Sequence, residues 1–86
     1  MNTFHLIISS PDGNLFEGDV IKLDVRGTEG DLAIMAGHIP FVTSIVEAPI
    51  KIWMADDSEK KATAKGGLLT VGKEVVTLIS GTFQFE

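Results

Sequence analysis

The chain has 86 residues, enough for one domain that buries roughly 60% of its unfolded surface without needing a disulfide or a metal. It has no cysteine, which excludes thiol catalysis, sulfur-ligated zinc and any disulfide framework, and fits a reducing compartment. Seven basic residues against twelve acidic ones leave a net charge of -5, which repels phosphate backbones and removes nucleic acid from the expected partners.

The opening MNTFHLIISS has no basic segment leading into a long apolar run, and nowhere do ~18 apolar residues follow one another. A soluble chain without a readable export signal is expected. Within that opening, Phe4, Leu6 and Ile8 alternate onto one face of a strand, with His5 as a polar or edge position. Turn punctuation follows at SPDGN and FEG. The next strand is DVIKLDVRG, where Ile21, Leu23 and Val25 form the apolar face and Val20, Lys22, Asp24 and Arg26 the other. RGTEG and AGHIP are turns, in which Gly27, Gly30 and Gly37 serve as positive-φ residues. EAP marks another turn before PIKIWMA, whose Ile50, Ile52 and Met54 oppose Lys51, Trp53 and Ala55. DDSEKK reads as a solvated hairpin tip. After KGG, the β-branched runs LLTV and EVVTLIS are separated by GKE, where a positive φ at Gly72 would close a tight hairpin. Spacings this short leave no room for an ordinary helix, so the chain is all-β, with many short antiparallel strands. Two sheets packed face to face, or a flattened barrel, bury the alternate apolar residues.

Reactive chemistry finds little support. His5 and His38 are the two histidines, and a metal would have to recruit carboxylates such as Glu29 and Asp31. His38 lies in a Gly-x-x-Pro turn and either caps backbone groups or faces a partner. The serines lack a nucleophile-elbow context and no histidine has an evident orienting acid. GTEG has the outline of a nucleic-acid clamp, yet it carries Glu29 and precedes Asp31, which makes it a turn. KGG leads into a strand and not a helix, so no phosphate-binding loop is present and no bound nucleotide or cofactor is expected. A biotinyl or lipoyl carrier would need a modifiable lysine on a tight hairpin in a setting that Lys60 and Lys61 lack, and a cupin-like metalloenzyme would need more histidines.

The order of the pieces carries a resemblance. Ser10-Pro11 with Phe16, Gly18 and Val20, then Gly27, Glu29, Gly30 and Ile34, then Gly37, His38, Pro40 and Thr43, and finally Gly66-Gly67, resemble the N-terminal β-domain of the epsilon subunit of F-type ATP synthase, called delta in mitochondria. The resemblance covers nearly the whole chain and implies a single domain over residues 1–86, a flattened sandwich of about ten short antiparallel strands in two sheets. It implies a non-catalytic part of the rotary central stalk that links the gamma subunit to the ring of membrane c subunits. Its expected place is the cytoplasmic face of the bacterial membrane, which it meets only through the c ring. Gly27, Thr28, Glu29, Gly30 and Asp31 would face the c-ring loops, with acids placed to pair with arginines there. Ser10, His38, Pro40, Phe41, Val42 and Thr43 would lie toward gamma, with Pro40 shaping the loop and Phe41 serving either core or contact. Most members of this family continue into a two-helix hairpin that inhibits ATP hydrolysis and in some binds ATP. No helical period here supplies one, so neither property is carried over.

Overall fold

The computed structural model describes residues 2–86, which form strands and turns with no helix among them. The strands are β1 (Phe4–Ser10), β2 (Gly13–Gly27), β3 (Gly30–Met35), β4 (Phe41–Met54), β5 (Glu59–Val71), β6 (Val75–Ile79) and β7 (Gln84–Phe85). β1, β6, β5, β4 and β2 follow one another in pairing order, and β1 also pairs with β2, which closes the ladder into a ring. β3 hangs on β2 and β7 on β5.

Seven continuous strands replace the expected ten because FEG, EAP and KGG lie within strands and make no turns. β2, β4 and β5 are 15, 14 and 13 residues long. Each bends and serves both layers of the flattened barrel, so these three counted twice give ten segments. One layer holds the first part of β4, the second part of β5, β6, β1 and the first part of β2. The other holds β3, the second part of β2, the second part of β4, the first part of β5, and β7. Pairing is antiparallel except between β1 and β6, where the chain returns beside its first strand after traversing the rest of the fold.

Bends leave a mark on the apolar pattern. Ile21 falls at an irregularity where Val20 pairs with Met54 and Lys22 with Trp53. The extra residue shifts the pleat, so Val20 is fully buried along with Leu23 and Val25, and Ile21 is only half-buried. This corrects the expected face Ile21–Leu23–Val25. In β4 and β5 the parity of the buried positions also changes, between Ile45 and Ile50 on one strand and Ala64 and Leu69 on the other. Phe4, Leu6, Ile8, Ile50 and Ile52 are buried as their alternation predicts, and with Leu69, Val76 and Leu78 they fill the space between the layers. Each fully buried aliphatic side chain contributes ~1.5–3 kcal/mol over an exposed one.

Side chains satisfy the backbone where β4 and β5 bend. Buried Ser80 donates to the Gly66 carbonyl at 2.6 Å, and Thr82 Oγ1 accepts from the Lys65 amide at 2.9 Å. The Ser80 amide bonds the Ser9 carbonyl at 2.9 Å, tying the end of β6 to β1. Gly67 lies beneath this crossing, where a Cβ would stand 2.6 Å from the Ile79 carbonyl oxygen. At the β5–β6 turn Gly72 does not adopt the positive φ expected of it. The constraint there is space, because a Cβ would meet the Val75 carbonyl oxygen at 2.7 Å.

Candidate functional site

The acidic stretch forms the tip of the β2–β3 hairpin. Gly27 pairs with Gly30, leaving Thr28 and Glu29 as an exposed two-residue tip. Gly30 has φ of 131°, which L side chains rarely adopt, and Gly37 has 85°. Gly27 has no positive φ. It is buried, with Leu32 Cδ1 3.0 Å from where a Cβ would lie, so packing and not chain reversal favours glycine there. Asp31 is paired inside the molecule, accepting from Arg26 Nε at 2.8 Å, and both side chains are exposed. Glu29 has no such partner among the described residues. Only one of the two acids at the tip is therefore uncommitted.

The second predicted group divides by role. Ser10 sits in the β1–β2 turn, where its hydroxyl accepts from the Asp12 amide at 3.2 Å, a local turn bond. Pro40 is exposed, Val42 is exposed and Thr43 half-buried, while Phe41 packs partly against the core. His38 has a structural duty. Its Nδ1 faces the Met35 carbonyl, its Nε2 lies 3.1 Å from the Gly72 carbonyl, and its ring meets Phe4 edge-on at 5.7 Å. The imidazole ties the β3–β4 connection to the β5–β6 turn. His38→Ala is expected to cost about 1–2 kcal/mol, from the lost carbonyl contacts and the aromatic pair. A urea titration checks this; a loss under ~0.5 kcal/mol would mean the ring is no tie at all.

The two predicted groups meet at one place. A cleft of about 260 Å³ lies between the hairpin tip and the start of β4, lined by Gly27, Glu29, Gly30, Asp31, Leu32, Phe41, Val42 and Thr43. Its lining combines the acids Glu29 and Asp31 with the apolar Leu32, Phe41 and Val42. A larger depression of about 460 Å³ runs over Lys22, Asp24, Arg26, Asp31 and Lys51, where Lys22 pairs with Asp24 at 3.7 Å and Arg26 with Asp31, while Lys51 pairs with Glu59 at 3.9 Å.

A broader feature was not singled out from the sequence. Residues directly opposite in neighbouring strands project from the same face. On the outer face of β4, β5, β6 and β1 this gives the row Val42, Thr70, Thr77, Ile7 and the row Ser44, Leu68, Ile79, Ser9. No charged side chain interrupts either row. Val42 is 63%, Leu68 43% and Ile79 46% exposed, so apolar side chains interspersed with serine and threonine hydroxyls stand open to solvent on an uncharged face. Its signal in the sequence is apolar doubling, Ile7-Ile8, Leu68-Leu69, Val75-Val76 and Leu78-Ile79, which in strands means that both faces are apolar. Read as alternating, the runs hide it.

The fold and the surface together define a small β-sandwich with an uncharged sheet face and an acidic hairpin tip, and with no group of three or more potential metal ligands among the described residues. The chain belongs to the ATP synthase delta/epsilon family: the model of its beta-sandwich domain matches residues 3–86. It is similar to the sodium-ion-specific ATP synthase epsilon chain of Acetobacterium woodii, 38% identical over 77 residues covering 88% of this chain and 58% of the relative. The ATP synthase epsilon chain of Delftia acidovorans is 35% identical over 82 residues, 95% of this chain and 59% of the relative. This chain thus spans just under three fifths of either relative's length. The fold is shared with a chain of the Euglena gracilis mitochondrial ATP synthase, in an assembly that includes the c-ring, at a TM-score of 0.89 and 18% identity over 96% of this chain and 53% of that one. A chain of the Tetrahymena thermophila central stalk and c-ring gives 0.81 and 12%, over 96% and 66%.

Proposed function

We propose that this chain is a non-catalytic rotor subunit of an F-type ATP synthase, joining the gamma subunit to the c ring and supporting the coupling of proton or sodium transport to ATP synthesis. The observation that carries this reading is the uncharged outer face of β4, β5, β6 and β1, whose solvent-exposed Val42, Leu68 and Ile79 fit a protein partner. Gamma is the partner assigned to that face, with Val42 and the neighbouring Ser10, His38, Pro40, Phe41 and Thr43 at its border. The tip Gly27, Thr28, Glu29, Gly30 and Asp31 is assigned to the c-ring loops, where Glu29 is free to meet a cation. The subunit then lies peripherally at the cytoplasmic face of a bacterial membrane and touches it only through the c ring, binding no nucleotide itself. The relatives' names and the assemblies of the structural neighbours favour this placement.

The test is recovery of gamma and the c ring with this chain from bacterial membranes depleted of their own epsilon subunit. Absence of both would overturn the reading. The double variant Glu29→Lys and Asp31→Lys is expected to weaken assembly or ATP-driven pumping by on the order of several kcal/mol at the c-ring contact, because like charges then meet at a partly desolvated surface. Its melt should hold, since the exposed Arg26–Asp31 pair contributes at most ~1 kcal/mol and the tip is solvated. Normal pumping would make the acids bystanders, and a collapsed melt would make them part of the turn itself.

A further inference from the structure

Apart from the hairpin tip beside Val42, charge meets the docking rows at their β2 end. Beyond Ile7, the row that begins at Val42 ends on Glu17 of β2, and the neighbouring row runs Val75, His5, Asp19. His5 Nε2 lies 2.8 Å from Glu17 Oε2 and its Nδ1 lies 3.1 Å from Asp19 Oδ1. An imidazole donates from both nitrogens only when it is protonated, so this geometry is that of an imidazolium held between two carboxylates. Among the described residues, the charge facing His5 comes from β2. On its other side β6 presents Val75, and the segment VVTLI has no titratable group. Lys73 and Glu74, in the turn before β6, form no ion pair with the cluster. Asn14 Nδ2 donates to Glu17 Oε1 at 3.5 Å. The hydrogen bond to Glu17, then that to Asp19, raises the His5 pKa above its ordinary value against a smaller opposing effect of burial. The sign follows: the clasp stabilises the fold fully below the ordinary histidine pKa, and that contribution is lost as pH rises through the raised one.

We propose that this border receives a cationic side chain of the docked protein, which takes Glu17 and Asp19 from His5, so that docking is coupled to release of the His5 proton. The inference rests on the docking role proposed for the apolar face. Ile7 shares that face with His5 and stands directly opposite Glu17, so a partner seated on Ile7, Ile79 and Leu68 also covers the border and strips water from the carboxylates. Covering a carboxylate is costly unless a cation meets it. One imidazolium against two carboxylates leaves the cluster negative even at low pH, and a neutral imidazole leaves it more so. With no other charge in the two rows, this is also where a cation on the partner gains most, which fixes the partner's orientation on an otherwise featureless surface.

The experiment measures the affinity of the complete gamma subunit for this chain between about pH 5.5 and 8, the range where histidine titrates, for the unmodified chain and for His5→Gln. Affinity should rise with pH, tenfold for each unit by which docking lowers the His5 midpoint, and this rise should vanish in His5→Gln. The His5 ring resonances should report a lower midpoint in the complex than in the free chain. Glu17→Gln, which keeps the shape of the border, should weaken docking and flatten the slope. A complex whose pH dependence is the same with and without His5, or whose His5 midpoint is unchanged or raised, overturns this inference and leaves the docking reading standing. No complex at any pH overturns both.

Discussion

Gly67→Ala is expected to lower the stability of this domain by on the order of 3 kcal/mol, and its melting temperature by on the order of 10–20 °C given ~4–8 °C per kcal/mol for a domain this small. The added Cβ would stand 2.6 Å from the Ile79 carbonyl oxygen and 3.0 Å from Ser80 Cβ. Neither atom yields easily. Ile79 pairs with Leu68, and buried Ser80 is fixed by its bonds to the Gly66 carbonyl and, through its amide, to the Ser9 carbonyl. Relief therefore means parting β6 from β5 or abandoning the hydroxyl contact, which leaves the half-buried Gly66 carbonyl without its donor. Strand propensity works the other way, since alanine constrains the unfolded chain more than glycine does, so a loss can only come from the clash. Gly66→Ala is the control. Its Cβ would lie 3.7 Å from the nearest atom, the Ile45 carbonyl oxygen, at ordinary contact distance. It should melt near the unmodified protein, and equal melts for the two variants would dismiss the account of the crossing given above.

Leu68→Asp is expected to reduce affinity for the gamma subunit by two orders of magnitude or more while leaving the melt nearly unchanged. Leu68 points outward at the middle of the uncharged rows, next to Ile79 on one side and Ser44 on the other, and 43% of it is already in water. The free domain pays little for a carboxylate there. A docked partner would bury that carboxylate with no cation inside the rows, and an uncompensated buried charge costs ~3–5 kcal/mol, a factor of about 10² to 4 × 10³ in binding. Leu69→Asp provides the contrast, because the adjacent side chain points into the core and is fully buried, so this variant should unfold. Unaltered gamma binding by Leu68→Asp, with the chain folded, would show that the partner sits on another face.

The class of the fold was legible because it depends on local alternation. Phe4, Leu6 and Ile8, like Ile50 and Ile52, are buried as a period of two demands, and of the run DDSEKK the Asp56–Ser58 part forms the turn, with Asp57 at a φ of 72°, while Glu59, Lys60 and Lys61 open β5. The ordered glycines, acids, histidine and proline likewise pointed to the family on their own. What the sequence could not convey was any feature arising between strands that are distant along the chain. Strand length is hidden in the sequence because glycine and proline punctuate bends within β2, β4 and β5 as well as turns, and only pairing on both sides distinguishes the two. Val20 replaced Ile21 in the core because one extra residue at a bend reverses the pleat, a consequence of β2 pairing with β4 more than thirty positions away. His38 was equally consistent with capping and docking until the β5–β6 turn was folded against it. The same holds for the charges: Asp31 is committed to Arg26, and His5 lies between Glu17 and Asp19, only because antiparallel registers set them face to face. The apolar docking face is the clearest case. Its residues come from four strands spread from Ile7 to Ile79, of which the sequence marks only Val42, and the closed ladder alone assembles them into a surface.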